Sequence, residues 1–228
     1  MDRKTCIEAA QLLEQMYRGY RLHLESTPES SKQKFRVFLF SGRPGFERYA
    51  QDVLNSGHTS AAGLYTPVLK QLLIWNLPDR EEMFNTVQHE GFHQYLDRMM
   101  LDPPVWFNEG AASYFELVEY VKGKWTEGQI DHYAVARLRK QGLMPLSRYI
   151  RLSNGEFRIE ELELRNYAQG WLLTHYLRNS SRQNLELFRT MFSKLCDAQN
   201  GQACIDKIFA DVNLNAMHKE LEAHLAAM

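Results

Sequence analysis

Apolar residues near the start of the chain recur at helical spacing. Ile7, Ala10, Leu13, Met16, Tyr17 and Tyr20 fall on one face, which predicts a helix over roughly residues 4 to 22. The pattern then lapses into HLESTPESSKQK, polar and turn-rich, as expected of a surface loop. FRVFLFS, residues 35 to 41, has the composition of a buried strand, and GRPGFERYAQDVLNS after it predicts a turn into a short helix. GLYTPVLKQLLIWN, residues 63 to 76, reads as two short extended pieces around a proline turn. A small sheet early in the chain follows from these segments.

From Asp79 onward the period becomes helical. DREEMFNTVQHEGFHQYLDRMM opens with acidic residues, which suit a helix N-terminus. LDPP breaks that helix, and VWFNEGAASYFELVEYVKG resumes the helical period. Further helices are expected around residues 128 to 141, 165 to 178, 182 to 198, 202 to 210 and 214 to 227. There is no internal repeat and no low-complexity segment. The expected architecture is α+β in a single domain over residues 1–228: a small mixed-sheet lobe over 1–100 and a predominantly helical lobe over 101–228.

Composition narrows the function classes. A chain of 228 residues with 44% hydrophobic and 12% aromatic content can bury a sizeable core of its own. The 27 basic and 28 acidic residues leave a net charge of -1, so no global field points to nucleic acid. Arg137, Arg139 and Lys140 form only a short cluster, as on a solvated helix face. No run reaches the length of a membrane span, and the first residues form an amphipathic helix without a signal-peptide core. A cytoplasmic protein is expected if Met1 is the native start, and an exported one if the chain is a domain cut from a longer precursor. Cys6, Cys196 and Cys204 lack metal-ligand spacing, and separate buried thiols are favoured over a Cys196–Cys204 pair. Oligomeric state leaves no mark in the sequence.

The chemistry concentrates in TVQHEGFHQYL, residues 86 to 96. Residues four apart on a helix lie on one face, so His89 and His93 can present imidazole nitrogens to a single ion. Glu90 is turned about 100° from His89, beside such an ion, where a carboxylate can take a proton from water. Two histidines satisfied in a core or at a surface would look the same, so a third ligand is needed. Glu109 in VWFNEGAASYFE is the candidate, brought back over the histidine face by a helix, a tight turn and a second helix. Gly91 costs a helix about 1 kcal/mol relative to Ala, which suits close approach by another backbone. Gly110, Ala111 and Ala112 are the small partners such an approach requires.

HEGFH followed by WFNEGAASYFE resembles the gluzincin metallopeptidases, in which the two histidines of H-E-x-x-H and a downstream glutamate bind zinc. Asn108, Glu109, Gly110 and Ala112 resemble the N-E-G-x-A run of the aminopeptidase-N-like and peptidase-MA-like branches. Bacterial domains with the same helix continue as P-x-W-x-x-E-G-x-A-x-Y-F-E, here Pro104, Trp106, Glu109, Gly110, Ala112, Tyr114, Phe115 and Glu116. The resemblance covers residues 84 to 120 and implies a zincin-like fold with the metal site between the two lobes. It also implies a Zn2+ cofactor held by His89, His93 and Glu109, a peptide or protein substrate, and hydrolysis by metal-activated water with Glu90 as general base. YAQGWLLTHYL resembles the Y-x-x-G segment that carries an oxyanion-stabilising tyrosine, which implies that role for Tyr167. Tyr167 is equally suited to a packed aromatic face with Trp171, Leu172 and Tyr176, and His175 is the fallback donor. Glu116 is the favoured hydrogen-bond partner for a ligating imidazole; Asp97 and Glu119 suit a solvated helix face better.

One departure from the resembling family bears on specificity. Aminopeptidase-N-like enzymes carry a G-A-M-E-N segment, on the strand before the active helix, whose glutamate captures the substrate amine. Residues 54 to 78 here contain no acid. An endopeptidase is therefore favoured over an aminopeptidase. The alternative is a non-catalytic zinc-binding relative that acts as a peptide-binding or interaction module, although such a module has no need of Glu90. A helical scaffold with a fortuitous motif is a third possibility and predicts no metal stoichiometry.

Overall fold

The computed structural model describes residues 2–25, 34–55 and 61–228. Most of the HLESTPESSKQK segment, expected as a surface loop, lies outside the described residues. The protein is mixed α+β, with a small sheet and a helical C-terminal region. It divides into two compact units, Met1–Arg98 and Met99–Met228.

The first unit holds α1 (Arg3–His23), β1 (Arg36–Phe40), α2 (Arg43–Leu54), β2 (Gly63–Thr66), β3 (Gln71–Trp75) and α3 (Arg80–Leu96). Its sheet runs in the order β1-β3-β2, with β1 and β3 parallel and β2 and β3 antiparallel. The mixed character follows from the connections. β1 reaches β3 through α2, whereas β2 reaches β3 through a four-residue turn that ends at Lys70 in the left-handed region, φ 54°. Leu72, Leu73 and Ile74 of the central strand are fully buried, as expected of a strand covered on both faces. Tyr65, Met83 and Val87 pack with Leu72 and Ile74 in one cluster. α1 packs along α3: Tyr20 donates its hydroxyl to the Gln88 carbonyl at 2.9 Å, and its ring meets Phe92 edge-on at 5.2 Å.

The second unit opens with α4 (Val105–Phe115) and a hairpin of β4 (Glu119–Val121) and β5 (Lys124–Thr126). It continues through α5 (His132–Gln141), α6 (Leu146–Tyr149), α7 (Asn154–Phe157), α8 (Glu160–Asn179), α9 (Arg182–Cys196), α10 (Gly201–Ile208) and α11 (Leu214–Ala226). α8 is central, with α4, α5, α7, α9 and α11 packed against it. Every residue from Ala168 to Arg178 is buried, which explains why α8 lacks a clear polar stripe. The tightest crossing is with α4. A Cβ added at Gly110 would stand 2.4 Å from the Gly170 carbonyl oxygen, so only two glycines allow the backbones to come this near.

Most expected elements are found; the structure adds the short α6 and α7, and it departs from expectation after residue 115. The helical period of ASYFELVEYVKG suggested a continuing helix, but α4 stops at Phe115 and the chain turns into the β4–β5 hairpin. The three cysteines are free, as expected, but partly exposed where buried thiols were expected. Among the described residues no helix is long and apolar enough to cross a membrane.

Candidate metal centre

α3 presents the first residues of the site. Asp79 starts the helix by accepting the Glu82 N–H on its side chain, and Glu81 and Glu82 place negative charge in the first turn, where the helix dipole favours it. Further along, His89, Glu90 and His93 are all half-buried. The four-residue spacing brings the two imidazoles edge to face, 4.8 Å between centroids. Glu90 is turned toward β2 instead, and its Oε2 accepts the backbone N–H of Tyr65 at 2.7 Å. Gly63 makes this proximity possible, since a Cβ there would stand 2.7 Å from Thr86 Cγ2 and 3.2 Å from Glu90 Cγ.

Tyr65 is itself anchored. Its hydroxyl donates to Asp97 Oδ2 at 2.7 Å, and Lys70 Nζ reaches the same oxygen at 2.5 Å. Burial, helped by the bond to Asp97, holds the Tyr65 phenol far above its ordinary range, so it remains a donor. Asp97 was expected on a solvated face; its side chain is only 18% exposed and ties α3 to β2. Sequence reasoning missed Tyr65 because the group that meets Glu90 is a backbone N–H, which no side-chain pattern encodes.

In the second unit, α4 begins at Pro104, whose carbonyl accepts the N–H groups of Phe107 and Asn108. Glu109, one turn in, is 4% exposed. A carboxylate this buried requires compensation, and Arg158 supplies it: Nη2 donates to Glu109 Oε1 at 2.6 Å. The same guanidinium donates through Nη1 to the Tyr167 hydroxyl at 2.9 Å. The Tyr167 ring leans on Phe157, 5.3 Å between centroids. Burial first, and then the Glu109 charge, push the Tyr167 phenol well above its ordinary value, with Arg158 opposing. Its proton is thus retained near neutrality.

Three other residues named from the sequence have surroundings of their own. Glu116 is the C-cap of α4, half-buried, with its backbone N–H on the Ala112 carbonyl. His175 does not serve as a fallback donor, because both ring nitrogens are engaged: Nε2 on the Gly128 carbonyl at 3.2 Å and Nδ1 on His224 Nε2 at 2.9 Å. Glu119 is exposed on β4.

His89, His93 and Glu109 form a group that could hold a metal ion. Each offers one ligand atom, and these atoms all lie within 4.8 Å of one another. Two imidazoles and a carboxylate are a donor set suited to a transition-metal ion, with room in the coordination shell for one more ligand.

No curated protein matches the chain. The family model described as "Protein of unknown function (DUF1570)" matches residues 83–196, from within α3 to the end of α9. This span is half of the 228 residues and includes His89, Glu90, His93, Glu109, Arg158 and Tyr167. The chain therefore belongs to the DUF1570 family.

Proposed function

We propose that this protein is a zinc-dependent peptidase of the gluzincin type, acting as an endopeptidase. The observation that carries the proposal is the group of His89, His93 and Glu109, with Glu90 at the next position on the same helix. Zinc, when bound, acidifies water and polarises a carbonyl oxygen. Glu90 is the general base: it takes the nucleophile's proton and returns it to the departing amine. The Tyr65 N–H on Glu90 Oε2 fixes the carboxylate's direction and leaves its other oxygen for that proton. Tyr167, kept protonated by its surroundings, donates a hydrogen bond to the developing oxyanion.

The placement of β2 supports a peptide substrate. β2 is an edge strand of its sheet, and its Tyr65 N–H already reaches Glu90. An extended chain paired with that edge would pass close to the base. Residues 54 to 78 hold no acid to capture a free amine, which favours cleavage within a chain.

The test is metal content, measured by elemental analysis on protein purified without a metal-affinity tag. About one zinc per chain is expected, largely lost in Glu109→Ala. Glu90→Gln should keep its zinc and lose on the order of 10²- to 10⁴-fold in peptide cleavage. A wild-type protein that binds no zinc when it is supplied would sink the proposal. Zinc bound without any cleavage across a broad peptide library would leave only a binding module.

A further inference from the structure

Arg158 stands just after α7, at a point the backbone holds firmly. α7 carries a capping box in which Ser153 and Glu156 satisfy each other's N–H groups, and the Arg158 N–H returns to the Asn154 carbonyl. The next link is also fixed, since the Asn166 side chain donates to the Phe157 carbonyl at 2.9 Å and the Tyr149 hydroxyl donates to the Asn166 carbonyl at 2.6 Å. From this anchored position the guanidinium reaches Glu109 on α4 and Tyr167 on α8 at once, with Glu163 at 3.5 Å from Nη1.

We infer that Arg158 is a positioning residue of the candidate metal centre, its fork holding the Glu109 carboxylate with one nitrogen and the Tyr167 hydroxyl with the other. The inference rests on the assignment of His89, His93 and Glu109 as metal ligands. A carboxylate has about four lone-pair positions, so an arginine on Oε1 does not exhaust its capacity to bind a cation. The Tyr167 hydroxyl, as acceptor from Arg158, has its own proton directed elsewhere; among the described residues it donates to none. The rigid planar fork sets both groups in a fixed relation, which an ammonium on a flexible stem does not do.

A guanidinium beside a ligand also repels a metal cation, and the balance is decided by exposure. The Arg158 side chain is 48% exposed, so solvent screens its charge toward an ion. The Glu109 side chain is 5% exposed, so its charge-assisted bond to Arg158 is screened far less. Orientation of the ligand therefore outweighs repulsion of the metal.

The experiment compares wild type, Arg158→Ala and Arg158→Lys. Zinc dissociation constants come from chelator competition, the visible spectrum from the cobalt-substituted protein, and the melting temperature from the metal-free protein. Arg158→Ala should weaken zinc binding by about 10- to 100-fold and alter the cobalt bands, because Glu109 is no longer held. Arg158→Lys should recover part of the affinity, since the charge returns but only one acceptor can be held. Zinc affinity and cobalt spectrum unchanged in Arg158→Ala, with only a lower melting temperature, would make Arg158 a structural ion pair and overturn the inference. Tighter zinc binding in Arg158→Ala would also overturn it, by showing that the guanidinium competes with the metal. A wild-type protein that binds no zinc removes the metal centre itself, a failure distinct from equal binding by wild type and variant.

Discussion

The two helix glycines beside the candidate ligands differ in what a side chain would meet. At Gly110 an added Cβ would meet the Gly170 carbonyl carbon and oxygen at 2.5 and 2.4 Å, backbone atoms that cannot rotate away. Gly110→Ala is expected to cost about 3 kcal/mol or more, at the upper end of overpacking penalties. At Gly91 the only obstacle among the described residues is Leu13 Cδ2 at 2.5 Å, the end of a flexible side chain, and alanine gains about 1 kcal/mol of helix propensity. Gly91→Ala should therefore stay within about 1 kcal/mol of wild type. Urea denaturation of both variants checks the contrast, and equal losses would contradict it. The sequence suggested that Gly91 admits the backbone bearing Glu109, but Gly91 lies two positions from His89, about 200° round the helix, and there it meets α1. His89, Glu90, His93 and Glu109 were legible because fixed helical spacing and a downstream acid carry the chemistry in residue type alone. Arg158 was not legible: it is 49 positions from Glu109, one arginine in a chain that is 24% charged, and only the packing of α7 and α8 brings it to the site.

Among the elements, the end of α4 shows how a periodic pattern overruns its helix. Tyr114, Phe115 and Val118 continue the apolar period and are buried, but Val118 is buried after the helix has ended and the chain has turned. The decisive signal is Lys122-Gly123, both in the left-handed region at φ 51° and 82°, the two-residue turn that matches strand twist and joins Val121 to Lys124. Tyr120 and Trp125 face each other across it, 4.9 Å between rings. A Cβ at Gly123 would meet nothing within 4 Å, so only its backbone conformation resists substitution. Gly123→Ala should loosen the hairpin by about 1 kcal/mol with little change in global stability. Hydrogen exchange at the hairpin amides would report it, and unchanged protection there would refute the turn assignment. Long segments such as α1 and α9 were visible because their amphipathic period persists over several turns, whereas α6 and α7, four residues each, are too short to show one.

For the whole molecule, the proposed metal centre would couple metal binding to stability. An ion held only by the folded chain raises stability by about 4 kcal/mol at a thousandfold excess over its Kd. For a chain of this length that corresponds to a rise in melting temperature on the order of 10 °C. Zinc-loaded wild type is thus expected to melt well above chelated protein, while His93→Ala should melt alike in both conditions. Acid should act through a different pair. His175 Nε2 faces the Gly128 carbonyl, which can only accept, so that nitrogen carries a proton, and Nδ1 must accept from His224 Nε2. Both imidazoles are held below their ordinary pKa, chiefly by burial, and for His224 also by His175. The unfolded chain then binds more protons than the folded one as pH falls below about 6.5, so stability present above that pH is lost through the window between the unfolded and folded values. Each such group contributes at most about 1.4 kcal/mol per pH unit. Tyr176 beside the pair, bonded to Glu220 and pushed up to about 12, does not titrate in this range. In metal-free protein, melting temperature should fall between pH 7 and pH 5, and less steeply in His224→Gln, whose amide still donates to His175 but cannot gain a proton. Parallel slopes in the two proteins would show that other groups carry the acid sensitivity, while a flatter slope in the variant would place it where α11 meets α8.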